Sequence, residues 1–204
     1  MKGGEADSAL VETFRERTIE LPDWLRGHIV RVVHEARRLA HRYELDAERV
    51  EAAAWGHDLY RAHDAADLLR LAEGLALPVS EVERAAPILL HGPVAAATAE
   101  REWGVGDREV LEAIQWHTTA RAGLSPVATT VFLADKIEPA KVAADAGLWG
   151  VRTLADHDPE AAMLAYLERQ LATRLSAGEV AHPASLEARN ALLLAMKARE
   201  APAG

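Results

Sequence analysis

The 204 residues contain no cysteine, which excludes disulfides, thiolate metal ligands, iron–sulfur clusters and a cysteine nucleophile. Any metal must therefore be held by His, Asp or Glu. No run approaches the roughly 20 apolar residues that span a bilayer, which argues against a membrane partner. The opening MKGGEADSAL lacks the basic patch and apolar core of a secretory signal, so the expected address is cytoplasmic. Positive charge is in deficit: 23 Lys and Arg stand against 32 Asp and Glu, a formal net charge of -9. That balance argues against nucleic acid as a partner, because such binding rests on a basic surface that releases counterions. A small phosphorylated ligand remains compatible, since metal ions and a few cations make a local positive field whatever the total. The alternating patterns of strands are missing as well.

What is present is an ordinary globular balance, 50 % hydrophobic and 27 % charged. The expected organisation is a single domain over residues 21–199, preceded by a weakly constrained segment 1–20 and followed by a tail 200–204. Apolar residues recur at helical spacing nearly throughout. Ile29, Val32, Val33, Ala36, Leu39, Ala40 and Tyr43 make one stripe on a helix that His28 is read as opening. Asp46, Asp107 and Ser125 are placed to cap helices that lead to His57, His117 and Asp135. Ser80 and Glu83 have capping-box spacing, and Pro93 sits where a first-turn proline opens a helix. Asp158-Pro159-Glu160 starts another helix, and a last one runs from near Pro183 to about Ala198. Pro139 closes the helix before it, and 140–157 reads as an irregular connection. The fold class is all-α, a helical bundle with a metal site between helices.

There are nine histidines, and a histidine on a helix is more often a surface or satisfied core residue than a ligand. His57, however, shares the core-facing side of its helix with Ala53 and Ala54, and Asp58 follows it directly. An aspartate buried there without compensation costs several kcal/mol, which a cation offsets. His28, His91, His117 and Asp135 are each attached to an apolar helix able to aim them inwards. His34, six residues from His28 at about 100° per residue, faces away. His41, His63, His157 and His182 lie among charges or at helix boundaries and read as solvated. The Trp and Leu stripes read as core packing.

The runs His28-Ile29-Val30-Arg31-Val32, Ala53-Ala54-Trp55-Gly56-His57-Asp58, Leu89-Leu90-His91-Gly92-Pro93-Val94 and Ile114-Gln115-Trp116-His117-Thr118-Thr119 carry a resemblance. Val131-Phe132-Leu133-Ala134-Asp135-Lys136-Ile137-Glu138-Pro139 adds to it, as do His182-Pro183 and Leu186-Glu187-Ala188-Arg189-Asn190. With these the chain resembles the HD phosphohydrolases and, within them, the bacterial symmetrical diadenosine tetraphosphate hydrolases (YqeK family). The resemblance implies a di-iron site: His28, His57, Asp58 and Asp135 on one ion, His91 and His117 on the other, with Asp58 bridging. Imidazole and carboxylate ligands by themselves suit iron, manganese, zinc or nickel. The sequence departs from the family at Ala120, where glycine is common after the two threonines, at Lys141, where arginine is common, and over Val142 to Leu148. These departures leave the metal ligands intact and bear on the outer substrate pocket and its substrate preference.

The implied activity is hydrolysis of diadenosine tetraphosphate to two ADP, with Asp58 and Lys136 as catalytic residues. Expected substrate contacts are Arg61, Thr118, Thr119, Arg121, Lys136 and Lys141, which otherwise read as solvated charges and helix-end hydroxyls. The rivals are another HD phosphohydrolase, acting on nucleoside monophosphates or as a phosphodiesterase, and a non-catalytic nucleotide or metal sensor. Five tryptophans, Trp24, Trp55, Trp103, Trp116 and Trp149, are many for this length, and a homodimer surface is one use for those left exposed.

Overall fold

The computed structural model describes residues 4–200, so residues 1–3 and the part of the expected tail at 201–204 lie outside the described residues. The helices follow one another as α1 (Gly4–Arg15), α2 (Asp23–Arg42), α3 (Ala47–Gly56), α4 (Ala65–Gly74), α5 (Glu81–Ala85) and α6 (His91–Arg101), then α7 (Arg108–Trp116), α8 (Pro126–Ile137), α9 (Pro139–Ala144), α10 (Leu148–Ala155), α11 (Pro159–Ser176) and α12 (Pro183–Glu200). Among the described residues there is no strand, and no helix is long and apolar enough to cross a membrane.

The centre of the bundle is α8. Its sequence PVATTVFLADKI is apolar on nearly every side, and every residue from Thr130 to Ile137 is buried, because α2, α3, α7, α10 and α11 all pack around it. α2 buries Leu25, Ile29, Val32, Val33, Ala36, Leu39 and Ala40 and leaves His34 in solvent. The caps form from the residues that the sequence marks for them. Asp46, Ser80, Asp107, Ser125 and Asp158 each accept from amides of the first turn, and Glu83 completes the box with Ser80. Such side chains satisfy amides that have no helical partner.

Three readings are corrected. The segment 140–157 is not irregular: Lys141 and Val142 lie in α9, and Leu148, Val151 and Ala155 turn the buried side of α10 inwards. His28 does not open its helix, which begins at Asp23, so His28 lies in the second turn where its backbone is already fixed. Among the described residues of the leading segment, Phe14 is fully buried and meets Trp103 edge-on with ring centroids 5.9 Å apart, so α1 is tied to the core rather than loosely held.

Two glycines set how closely the site-bearing helices approach. A Cβ on Gly56 would lie 2.6 Å from Ile114 Cδ1 and 2.7 Å from Phe14 Cδ1, so α3 reaches α7 and α1 only because position 56 has no side chain. A Cβ on Gly92 would lie 2.8 Å from the carbonyl oxygen of Ile114 and 2.9 Å from that of Gln115. The start of α6 is thereby pressed against the end of α7, which brings His91 to His117.

Candidate metal centre

His57, His91 and His117 share one local device. Each sits at a helix end, and its Nδ1 donates to the carbonyl three residues earlier: His57 to Ala54 at 2.7 Å, His117 to Ile114 at 2.8 Å, and His91 to Ile88. With Nδ1 carrying the proton, Nε2 keeps its lone pair and points inwards. His28 reaches the same cluster from α2, with its Nδ1 3.4 Å from Glu138 Oε1. Glu138 is itself oriented by Arg31 Nε at 2.8 Å and by the amide of Ala140 at 2.7 Å.

The four imidazoles surround Asp58 in two pairs. Oδ1 lies 3.0 Å from His91 Nε2 and 3.3 Å from His117 Nε2, while Oδ2 lies 3.5 Å from the Nε2 of both His28 and His57. Asp135 joins the second pair, with Oδ1 3.1 Å from His28 Nε2 and 4.0 Å from His57 Nε2. Two metal-competent groups result, His28–His57–Asp58 and Asp58–His91–His117, sharing one carboxylate.

The polar atoms in this cluster fit a cation. His57 Nε2 is buried and has no hydrogen-bond partner among the described residues, and a buried polar atom so left costs free energy. His91 and His117 present Nε2 to Nε2 at 2.9 Å, where two lone pairs repel unless a positive charge lies between them. Burial pushes the His57 pKa down to about 3 and lowers that of His117, so both rings are neutral, the form that ligates. Burial disfavours charge on Asp135, but the ammonium groups of Lys136 at 2.5 Å and Lys141 at 2.6 Å hold its carboxyl well below the usual range. Asp58 also lies well below it, since the surrounding imidazoles, His57 first, outweigh its burial. The donor set is imidazole and carboxylate without thiolate, which suits a transition metal.

The cluster opens into a cleft of about 400 Å³ lined by Arg61, Thr118, Lys136 and Lys141 among others. Of the expected substrate contacts, two lie elsewhere. Arg121 is turned to Glu112 as an ion pair and faces a different groove with Gln115 and Trp116. Thr119 is buried, and its carbonyl accepts from Ser185 Oγ at 2.6 Å, while its neighbour Thr118 turns its hydroxyl to within 2.9 Å of His117 Nε2. Both threonines lie in the turn that follows the end of α7 at Trp116, where adjacent side chains diverge. The cleft also contains Trp24, Arg31 and Glu138, which the sequence reading did not assign to the site. Trp24 and Arg31 are four before and three after His28, the spacing that shares its helix face, and Glu138 is three after Asp135.

The HD domain family model matches residues 25–140, a span that contains all six clustered residues. The chain belongs to the HD domain family. It is 36 % identical over 122 residues to the symmetrical bis(5'-nucleosyl)-tetraphosphatase of Staphylococcus aureus, covering 60 % of this chain and 62 % of that one. With the enzyme of the same description from Halalkalibacterium halodurans it is 32 % identical over 170 residues, 83 % of this chain and 89 % of the relative. The crystal structure of an HD superfamily hydrolase from Clostridium acetobutylicum superposes with a TM-score of 0.83 at 26 % identity, covering 92 % of this chain and 97 % of the other.

Proposed function

We propose that the chain is a metal-dependent symmetrical bis(5'-nucleosyl)-tetraphosphatase that hydrolyses diadenosine tetraphosphate to two molecules of ADP. The observation that carries this reading is the divided carboxylate of Asp58, with one oxygen facing His91 and His117 and the other facing His28 and His57. That arrangement would hold two ions, one through His28, His57, Asp58 and Asp135 and the other through Asp58, His91 and His117. Iron is the metal that the family resemblance implies, and the donor set accommodates it. Metals so held lower the pKa of a bound water and offset charge developing on a phosphoryl group.

The protein supplies the rest from named side chains. Lys136 and Lys141, both against Asp135, place two ammonium groups at the edge of the cluster, where they meet phosphate oxygens. Arg61 adds a third cation at the mouth of the cleft, and Thr118 offers a hydroxyl beside His91 and His117. Water adds to one of the two central phosphorus atoms. The bond from that phosphorus to the central bridging oxygen breaks, and the bridging oxygen leaves on the other ADP, so no covalent enzyme intermediate is needed.

The test is elemental metal analysis of protein purified with and without oxygen, paired with chromatography of the products. ADP as the sole product from diadenosine tetraphosphate, in a protein carrying about two metals per chain, is the expected result. Rapid phosphate release from nucleoside monophosphates, or tight binding of the dinucleotide without turnover, overturns the reading.

A further inference from the structure

The metal cleft has one large apolar surface. Of the side chains that line it, all are charged groups, imidazoles or a hydroxyl except Trp24, which is 61 % exposed. Trp24 precedes His28 by four residues and Arg31 by seven, so α2 presents an indole, a clustered imidazole and a guanidinium along one face. An indole left open beside so many charges contributes little to packing, and its flat face is the kind of surface on which a purine stacks.

A second space continues past the lysines. Lys136 and Lys141 line both the metal cleft and a groove of about 510 Å³, whose other walls include Tyr166, Arg169, Gln170 and Arg174. The volume lies within the range of roughly 300–1,000 Å³ typical of small-molecule sites. Four cations line the groove, Lys136 and Lys141 sharing Asp135, Arg169 paired with Asp145 and Arg174 with Glu179, which leaves one positive charge in excess in a chain whose formal net charge is -9. That local excess favours an anion. The Tyr166 ring, edge-on to Phe132 at 5.5 Å, gives the groove an aromatic wall.

Building on the tetraphosphatase reading, we propose that the two halves of the dinucleotide are held by unlike half-sites: Trp24 stacks on the base of one half, and the groove beyond Lys136 and Lys141 takes the nucleoside diphosphate of the other. A chemically symmetric ligand thus meets two different surfaces, and its two ADP products leave from sites of unequal affinity.

Hydrolysis of diadenosine tetraphosphate by the metal-loaded full chain, read with calorimetric titration of ADP, tests this. A wild-type protein that releases no ADP defeats the tetraphosphatase reading and this proposal with it. Where wild type does release ADP, the variants decide the proposal alone. Trp24→Ala is expected to raise KM about tenfold with kcat within about twofold, and Trp24→Phe to restore it, as for stacking made equally in ground and transition states. Arg174→Ala is expected to raise KM in the same way and Arg174→Lys to recover part of it. Wild type binds two ADP per chain with different affinities, and each alanine variant loses a different one. An unchanged KM in Trp24→Ala overturns the base platform, and an unchanged KM in Arg174→Ala overturns the groove. Neither substitution opens the core, since Trp24 is 61 % exposed and the Arg174 side chain 39 %.

Discussion

The imidazoles of His91 and His117 meet Nε2 to Nε2 at 2.9 Å, each with its Nδ1 committed to a backbone carbonyl. Two lone pairs at that distance are tolerable only with a cation between or beside them. Chelation is therefore expected to lower the melting temperature, and returning metal to restore it, because a ligand that binds only the folded state stabilises it by mass action. His117→Ala is expected to lose metal and at least about a hundredfold in activity while keeping its helical circular dichroism. Full activity in that variant would remove the residue from the centre.

Protons compete with metal for the same atoms, and the sign follows from the shifts. The unfolded chain takes up a proton at the ordinary imidazole value near 6.5, whereas burial holds folded His57 at about 3 and lowers His117. Below the ordinary value the unfolded state binds more protons, so this stability is complete above about pH 6.5 and is lost as pH falls towards 3. Asp58 and Asp135, both depressed, add loss of the same sign below their ordinary 3.8. Urea unfolding of the chelated protein at pH 8 and pH 5 measures the first window. A midpoint that does not fall at pH 5 contradicts neutral, buried imidazoles.

Gly92 and Gly27 should respond oppositely to alanine. At Gly92 the added methyl meets two backbone carbonyls within 3 Å and must push α6 from α7, separating His91 from His117. The expected cost is about 1–3 kcal/mol of stability together with loss of metal. At Gly27 the methyl meets only Arg31 Nη1, at 3.5 Å, in the interior of α2. There alanine should stabilise by up to about 1 kcal/mol, since glycine is a poor helix former. Denaturation midpoints of the two variants make the comparison.

Ala120 adopts φ 59°, a left-handed conformation, at the position where the resemblance drawn from the sequence implies glycine. The side chain is also fully buried, so relief of strain on Ala120→Gly is offset by the lost methyl and by chain entropy. Stability should change by less than about 1 kcal/mol. Ala120→Val, with a β-branched side chain unsuited to that backbone, should cost about 2 kcal/mol or more. Equal melting temperatures for the two variants would show that the backbone here relaxes freely.

Much of this was legible because helix caps and apolar stripes are local signals. Asp46, Asp107 and Ser125 mark the starts of the helices that deliver His57, His117 and Asp135, and each accepts the amides its spacing calls for. α9 and α10 were not legible, because six and eight residues are too few to display a period, and Asp145 interrupts the stripe between them. Side-chain direction beyond a helix end was equally hidden. Thr118 and Thr119 are adjacent, yet only Thr118 faces the cleft, and the Arg121 guanidinium is captured by Glu112, nine positions earlier in the chain. Trp24 was within reach of helical spacing from His28, but a lone aromatic residue near a helix start carries no mark of what it faces.

The acceptors that orient three of the four histidines are main-chain oxygens, those of Ala54, Ile88 and Ile114. A main-chain atom persists through every substitution that leaves the helix path unaltered. The orientation of these rings is thus inherited from backbone shape rather than from partner side chains. The surrounding sequence is free to drift, and the tolerance of this centre to mutation should track helix geometry more closely than residue identity at those three positions.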